Sequence, residues 1–234
     1  MTLQDLAGWC PGNLLQFQLD RPIHTLVTDS RKVVISDTSV FIAIAGHRNN
    51  GHHYLPELYQ KGVRQFIIEE DVDLTRYPEA NVFRAFSAME ALHSLVKHHR
   101  QSFTIPVVGI TGSNGKTIVK EWLSQVLDRD HHLVKNPGSY NSQLGVPLAV
   151  WQLQAHHDFA IFEAGISKPG EMVKLESIIR PTLGIFTNLG SAHDEGFTSR
   201  EEKAREKALL FAGCGRVVYC RDHAWVANII DQQN

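Results

Sequence analysis

The chain has 234 residues, 43% hydrophobic and 21% charged, with 23 basic against 25 acidic side chains and a formal net charge of -2. That suffices for one large or two small domains with a buried core, and it lacks the basic excess of a general nucleic-acid binder. No stretch reaches the ~18 apolar residues of a membrane span, no signal peptide opens the chain, and Cys10, Cys214 and Cys220 fit neither a metal knuckle nor a disulfide framework, so the expectation is reduced thiols in a cytoplasmic protein.

In the first hundred residues, Val40-Phe-Ile-Ala-Ile-Ala45 and Gln65-Phe-Ile-Ile68 predict strands, and Tyr54 to Lys61 predicts a short helix closed by Gly62. Ala88, Met89, Leu92, Leu95 and Val96 recur at helical spacing up to Arg100. A join is expected between Gln101 and Pro106, giving domains 1–101 and 102–234. Beyond it strands are expected at 105–110, 131–134, 159–163, 182–187 and 215–220. Helices are expected near 117–128, 142–152, 170–179, 199–212 and 222–231. Strict alternation argues for a parallel sheet with helices on its faces. The fold class is therefore α/β: a small mixed α/β N-terminal domain, then a parallel-sheet domain, which the motif at 109–117 makes phosphate-loop and ATPase-like. Ligands on such sheets bind at the carboxyl ends of the strands.

The sharpest motif is Gly109-Ile-Thr-Gly-Ser-Asn-Gly-Lys-Thr117, between an apolar strand and a helix whose inner face is expected to carry Ile118, Trp122, Leu123 and Val126. Glycines let backbone amides wrap a phosphate, and a helix N-terminus adds partial positive charge. Lys116 would neutralise the β- and γ-phosphates and the Thr117 hydroxyl would bind Mg²⁺. The usual pattern has glycine where Ile110 stands, and Gly109 and Gly112 bracket that position.

Phe159-Ala-Ile-Phe-Glu163 predicts a buried strand ending in a carboxylate. Alone, such an acid is more often a cap or a salt-bridge partner. Beside a phosphate loop it suits Mg²⁺, which takes oxygen ligands. The strand ending at Thr187 enters the polar loop Asn188-Leu-Gly-Ser-Ala-His193. A lone histidine among thirteen is ordinarily a surface or packing residue, and the pairs at 52/53, 98/99, 131/132 and 156/157 lack ligand spacing. Ser199 and Glu202 form a capping box for a helix carrying Lys203 and Lys207. Composition alone gives those lysines no function.

Together these residues resemble the Mur ligases of bacterial cell-wall synthesis. Thr111-Gly-Ser-Asn-Gly-Lys-Thr117 is similar to that family's phosphate loop, and Thr187 to Phe197 to its Asn-x-Gly-x-x-His segment. Lys120-Glu121, Tyr140 to Leu148 and Glu163 to Glu171 resemble the branch that adds D-alanyl-D-alanine to a UDP-N-acetylmuramoyl-tripeptide. Thr28-Asp-Ser-Arg31, Val40 to Gly46 and Asn50-Gly-His52 resemble the family's UDP-sugar-binding domain. The resemblance implies that Thr111, Gly112, Ser113, Asn114, Gly115, Lys116 and Thr117 hold ATP, with Lys116, Lys207 and His193 as catalytic residues. It further implies that Thr117 and Glu163 bind one Mg²⁺, that His193 contacts a second, and that Lys207 is carbamylated. Ser30, Arg31 and Asn141 would contact substrate. Ser142, Thr198 and Leu209 depart from the common asparagine, glycine and glutamate.

The implied reaction is ATP-dependent amide formation through an acyl phosphate, serving peptidoglycan synthesis and hence cell shape and division. The implied substrates are UDP-N-acetylmuramoyl-tripeptide and D-alanyl-D-alanine. Family members continue into a C-terminal domain, so the chain is expected to be a fragment, and a fused alanine racemase is one possible continuation. Two alternatives remain open at this point. One is a folate polyglutamate-type ligase, which shares the phosphate loop but lacks a UDP-sugar domain over residues 25–52. The other is a nucleotide-binding fragment that is inactive without its C-terminal domain.

Overall fold

The computed structural model describes residues 1–32, 37–46, 49–190 and 194–232, with the backbone alone for Asp194. The chain forms two compact units, Met1–Leu95 and Val96–Asn234.

The first unit holds helix α1 (Leu3–Leu6), strands β1 (Gly12–Gln16), β2 (Thr25–Val27) and β3 (Ser39–Ile42), and helix α2 (Leu55–Gln60). Strands β4 (Gln65–Ile68) and β5 (Asn81–Ala85) and the start of helix α3 (Ala88–Gln101) complete it. Among the described residues the sheet has five strands in the order β1-β5-β4-β3-β2. Only β1 runs antiparallel to its neighbour. β3 and β4 are buried along their whole length, as inner parallel strands covered on both faces require. Phe41, Phe66, Leu58, Val63 and Tyr77 form one core on this sheet. Gly62, at φ 95°, ends α2, and Val63 N–H returns to Leu58 O at 3.0 Å; a left-handed residue there satisfies the last carbonyls.

The strands β1, β2 and β5 lack the apolar runs that mark β3 and β4, so they escaped sequence reading. Tertiary contacts hold them instead. Asn81 is fully buried at the start of β5; its Oδ1 accepts from Gln18 N at 2.8 Å and its Nδ2 donates to Leu19 O at 2.6 Å. His52, expected to be incidental, is buried, and its Nε2 accepts from the amides of Glu69 and Glu70 at 3.0 and 3.1 Å.

The second unit runs β6 (Val107–Thr111), α4 (Lys116–Leu127), β7 (Leu133–Lys135), α5 (Gly145–Val150), β8 (Phe159–Glu163) and α6 (Glu171–Ile179). It continues through β9 (Leu183–Phe186), α7 (Arg200–Ala208), β10 (Arg216–Tyr219) and α8 (Ala224–Asp231). Its described strands are all parallel, in the order β10-β9-β6-β8-β7. The chain leaves β6 for β7, returns to β8, then crosses to β9 on the other side. β6 therefore lies at the point where strand order reverses, where such sheets open a crevice at their carboxyl ends. Register fixes what meets there: Ile110 pairs with Glu163, and Thr111 with Phe186.

Sequence reading expected the join at 101–106; the observed divide lies inside α3. Arg100 accounts for this. It is buried, and its guanidinium donates to Ile179 O at 2.9 Å and Arg180 O at 3.2 Å, so the end of α3 belongs with the second sheet.

The inward face of α4 differs from expectation. Leu123, with Val119 and Leu127, packs on Val108, Ile110 and Ile161. Ile118, Trp122 and Val126 are 56%, 67% and 69% exposed. Both apolar stripes have i, i+4 spacing. The direction of Lys116 selects between them: residues 116, 120, 123 and 127 share a helix face, and Lys116 and Lys120 are turned inward. Leu123→Ala should destabilise the chain by about 2–3 kcal/mol, whereas Trp122→Ser should stay within ~0.5 kcal/mol. Urea unfolding of the two variants checks which stripe is core.

Candidate nucleotide and metal site

β6 is buried along its length and delivers the chain into residues 112–115. Ile110 is wholly buried in that strand, so the turn begins only at Gly112 and glycine is not needed at 110. Gly112 has φ 143°, and a Cβ there would lie 2.0 Å from Thr187 Oγ1. Gly115 caps α4 at φ 81°. Both positions therefore require glycine. The first amides of α4 lack intrahelical acceptors and face the open end of the helix.

A second loop holds the first in shape. Ser113 N donates to Asn188 O at 2.8 Å, and Asn114 N to Asn188 Oδ1 at 3.1 Å. Thr187 Oγ1 donates to Asn114 O at 2.7 Å. Ser113 Oγ donates to Gly190 O at 3.1 Å. Loop 187–190 follows β9, so parallel pairing of β6 with β9 sets the two loops side by side.

Lysines occupy the inward carbonyls. Lys116 Nζ donates to Gly112 O at 2.9 Å, Lys203 Nζ to Gly190 O at 2.6 Å, and Lys207 Nζ to Gly112 O at 3.3 Å. Lys203 and Lys207 are almost wholly buried. Burial pushes the Lys207 amine down to about 7, and Lys116 and Lys203 push it the same way. Burial also lowers Lys116, while Glu163 opposes that shift.

Glu163 is wholly buried at the end of β8. Its Oε1 accepts from Thr117 Oγ1 at 3.2 Å and Asn141 Nδ2 at 3.1 Å. Its Oε2 accepts no hydrogen bond among the described residues; the Lys120 ammonium stands 3.8 Å away. Asn136 fixes the backbone there, accepting from Glu163 N at 2.7 Å and donating to Tyr140 O at 2.6 Å. A buried carboxylate oxygen without a donor, beside a hydroxyl and a phosphate loop, fits a hard divalent cation with oxygen ligands. No group of three or more His, Cys, Asp or Glu suits a metal among the described residues, so a cation here would complete its shell from phosphate and water.

The structure thus brings Thr111, Gly112, Ser113, Asn114, Gly115, Lys116, Thr117, Asn141, Glu163 and Lys207 to adjoining strand ends. His193 lies outside the described residues. Ser30 and Arg31 belong to the first unit, in a short turn at Ser30–Lys32. The Arg31 guanidinium grips Asp29 through two hydrogen bonds of 2.9 Å, and this holds the Asp29 carboxyl down at about 2. Sequence reading gave no role to Lys120, Asn136, Asn188 or Lys203. Three of these, Lys120 and Lys203 on helices and Asn136 just after β7, are buried polar groups, for which periodicity carries no signal.

A phosphate loop at the switch point of a parallel sheet, preceded by a separate mixed sheet, defines a two-domain α/β protein of the phosphate-loop class. The Mur ligase middle domain matches residues 110–234, and the Mur ligase family catalytic domain matches residues 22–100. The chain is 30% identical, over 97% of its length, to the UDP-N-acetylmuramoyl-tripeptide–D-alanyl-D-alanine ligase of Bacillus subtilis (strain 168), covering 50% of that protein. MurF from Acinetobacter baumannii superposes on 99% of the chain with a TM-score of 0.89 and 26% identity, over 51% of that protein. MurF ligase from Thermotoga maritima, solved in complex with ADP, superposes on 90% with a TM-score of 0.80 and 27% identity, over 48% of its length. The chain belongs to the Mur ligase family and is MurF-like. It spans about half the length of the curated relatives it matches. Among the described residues no helix is long and apolar enough to cross a membrane.

The depressed Lys207 amine has a consequence for stability. Its folded value of about 7 lies below the ordinary 10.5, so the unfolded chain binds the extra proton between those values and stability rises with pH there. The penalty of burying the ammonium is full below about pH 7 and fades towards pH 10.5. In CO₂-free buffer, Lys207→Met should melt above the wild-type chain at pH 7, and the gap should close as pH approaches 10.5. Paired thermal melts across that range check the sign.

Proposed function

We propose that the chain carries the nucleotide site and the UDP-sugar-peptide site of an ATP-dependent ligase that joins D-alanyl-D-alanine to UDP-N-acetylmuramoyl-tripeptide. The reaction would belong to cytoplasmic peptidoglycan precursor synthesis. The kinship with ligases of that activity supports this reading. From the site, one observation carries it: a sealed Glu163 oxygen without a donor, beside Thr117, at the mouth of a glycine loop.

In this reading residues 111–117 cradle the phosphates of ATP. Thr117 and Glu163 hold Mg²⁺, and His193 contacts a second ion. Bound there, Mg²⁺ supplies charge neutralisation on the phosphate oxygens. The terminal carboxylate of the tripeptide attacks the γ-phosphorus, ADP leaves, and an acyl phosphate forms. Lys116 neutralises charge on the transferring group. The D-alanyl-D-alanine amine then adds to the activated carbonyl and loses its proton, and the tetrahedral intermediate expels phosphate. Asn141 orients the peptide, and Ser30 and Arg31 meet the uridine end. Most of the rate comes from positioning and fixed charge. Lys207 is read as the lysine that takes up CO₂: its neutral amine adds to carbon and releases a proton, leaving a carbamate whose charge Lys116 and Lys203 offset.

The match of residues 22–100 to the Mur ligase family favours this reading over a folate polyglutamate ligase. The chain spans about half the length of the ligases it resembles, and in this proposal turnover needs the closing C-terminal domain of the longer protein; the 234-residue chain alone binds nucleotide. Lys116→Ala should weaken ADP binding roughly 10- to 100-fold, the loss of a hydrogen bond to a charged group, as read by calorimetry. Phosphate release that needs both UDP-N-acetylmuramoyl-tripeptide and D-alanyl-D-alanine should appear only with the longer protein. Unchanged ADP affinity in Lys116→Ala, or release that ignores either substrate, rejects the proposal.

A further inference from the structure

Lys120 is wholly buried on the helix that carries Lys116 and Thr117. An isolated lysine is rarely left in such a place. Its ammonium has three protons to place. Nζ donates to Asn136 O at 2.8 Å and to Gly138 O. It stands 3.3 Å from Glu121 Oε1 and 3.8 Å from the donor-free Glu163 Oε2. Glu121 has a second partner in Lys135, 2.6 Å from its Oε2. Lys120 is the cation that stands against Glu163 Oε2 itself, and the Lys116 ammonium adds a second, more distant attraction to the same carboxylate.

The same ammonium fixes a turn. Residues 136–141 rise from β7, bend at Gly138 with φ 51°, and pass over the end of β8. Asn136 clasps the Glu163 backbone, Ser139 Oγ lies 3.3 Å from Thr117 Oγ1, and Asn141 Nδ2 donates to Glu163 Oε1. The Thr117, Ser139 and Glu163 oxygens beside the candidate cation site are therefore tied to this turn. Lys120 touches the turn at two carbonyls and faces Glu163 directly.

We infer that Lys120 is a positioning residue of the nucleotide-metal site. Its buried ammonium clamps the 136–141 turn and balances Glu163, so that Thr117, Ser139 and both Glu163 oxygens are set before a divalent cation arrives with the nucleotide. Lys120 touches neither phosphate nor cation. Groups that orient a metal ligand from behind typically alter metal affinity about 10- to 100-fold when lost. The inference rests on Glu163 being a cation ligand, and the test separates the two claims.

Calorimetry would measure ADP affinity with and without Mn²⁺ for the wild-type chain, Lys120→Met, Glu163→Gln and the double variant, each also followed by thermal melting. In Lys120→Met the tightening by Mn²⁺ should shrink at least about tenfold, while metal-free ADP affinity stays within about twofold. Tightening that survives in Lys120→Met but vanishes in Glu163→Gln overturns the role of Lys120 and leaves the ligand reading intact. Tightening that survives in Glu163→Gln defeats the ligand reading itself. Equal loss of metal-free and Mn²⁺-dependent affinity in Lys120→Met marks a merely structural lysine and overturns the inference. Should Lys120→Met not fold, the double variant decides, because removing both charges leaves no unbalanced one. Recovery of a cooperative melt supports the inference, and failure to recover overturns it.

Discussion

A loop that turns its amide hydrogens toward a phosphate must turn carbonyl oxygens the other way, and each oxygen that becomes buried needs a donor. That requirement organises the second domain. The Gly112 carbonyl is met by Lys116 and Lys207, the Asn114 carbonyl by Thr187 and Asn188, and the Gly190 carbonyl by Lys203 and Ser113. The donors come from α4, from the loop after β9 and from α7. The helix that follows the loop and two segments far along the chain are thus tied to the four residues that follow β6. A loop held in this way loses little further freedom when a ligand arrives, and that is the physical content of preorganisation.

The double service at Gly112 matters most. A Lys116 that turns outward to a phosphate oxygen leaves the Gly112 carbonyl still paired with Lys207, so the loop keeps its shape while its lysine changes partner. The order of the strands makes this possible. β8 and β9 flank β6, which sets Glu163 on one side of the loop and Asn188 on the other. The cation-binding candidates and the loop's supports therefore do not compete for space.

Much of this was legible in the residues. The apolar run of β6, its glycine turn and the Gly-Lys-Thr ending predict a phosphate loop, and the acid ending β8 falls where the sheet register puts it. What stayed hidden has a common cause. Lys120, Asn136 and Lys203 are polar groups whose partners are mainly backbone carbonyls and amides of distant segments, and a carbonyl leaves no mark on sequence. The inward face of α4 was hidden differently. Ile118, Trp122 and Val126 repeat with the same period as Val119, Leu123 and Leu127, so periodicity cannot choose between them. Only the need for Lys116 to face the loop breaks the tie. β1 and β5 were missed because Gln18, Leu19 and Asn81 tie them together through hydrogen bonds rather than through an apolar pattern, and β2 is only 3 residues long.

The lysine cluster also carries the cost of the proposed chemistry. An acyl-phosphate ligase must drive an anionic carboxylate onto a polyanionic nucleotide, so its site has to be cationic before either arrives. Lys116 and Lys203 meet that need, but packing a third ammonium, that of Lys207, beside them away from water opposes folding. The strain shows at Lys207, which gives up its proton near neutrality under burial and the field of the other two. That same burial leaves a neutral amine beside two fixed cations, the combination in which addition of CO₂ is favourable. On the proposed reading, the carbamate converts the least tolerated cation of the cluster into an anion with neighbours of opposite sign. The modification then relieves a conflict that the phosphate loop itself created.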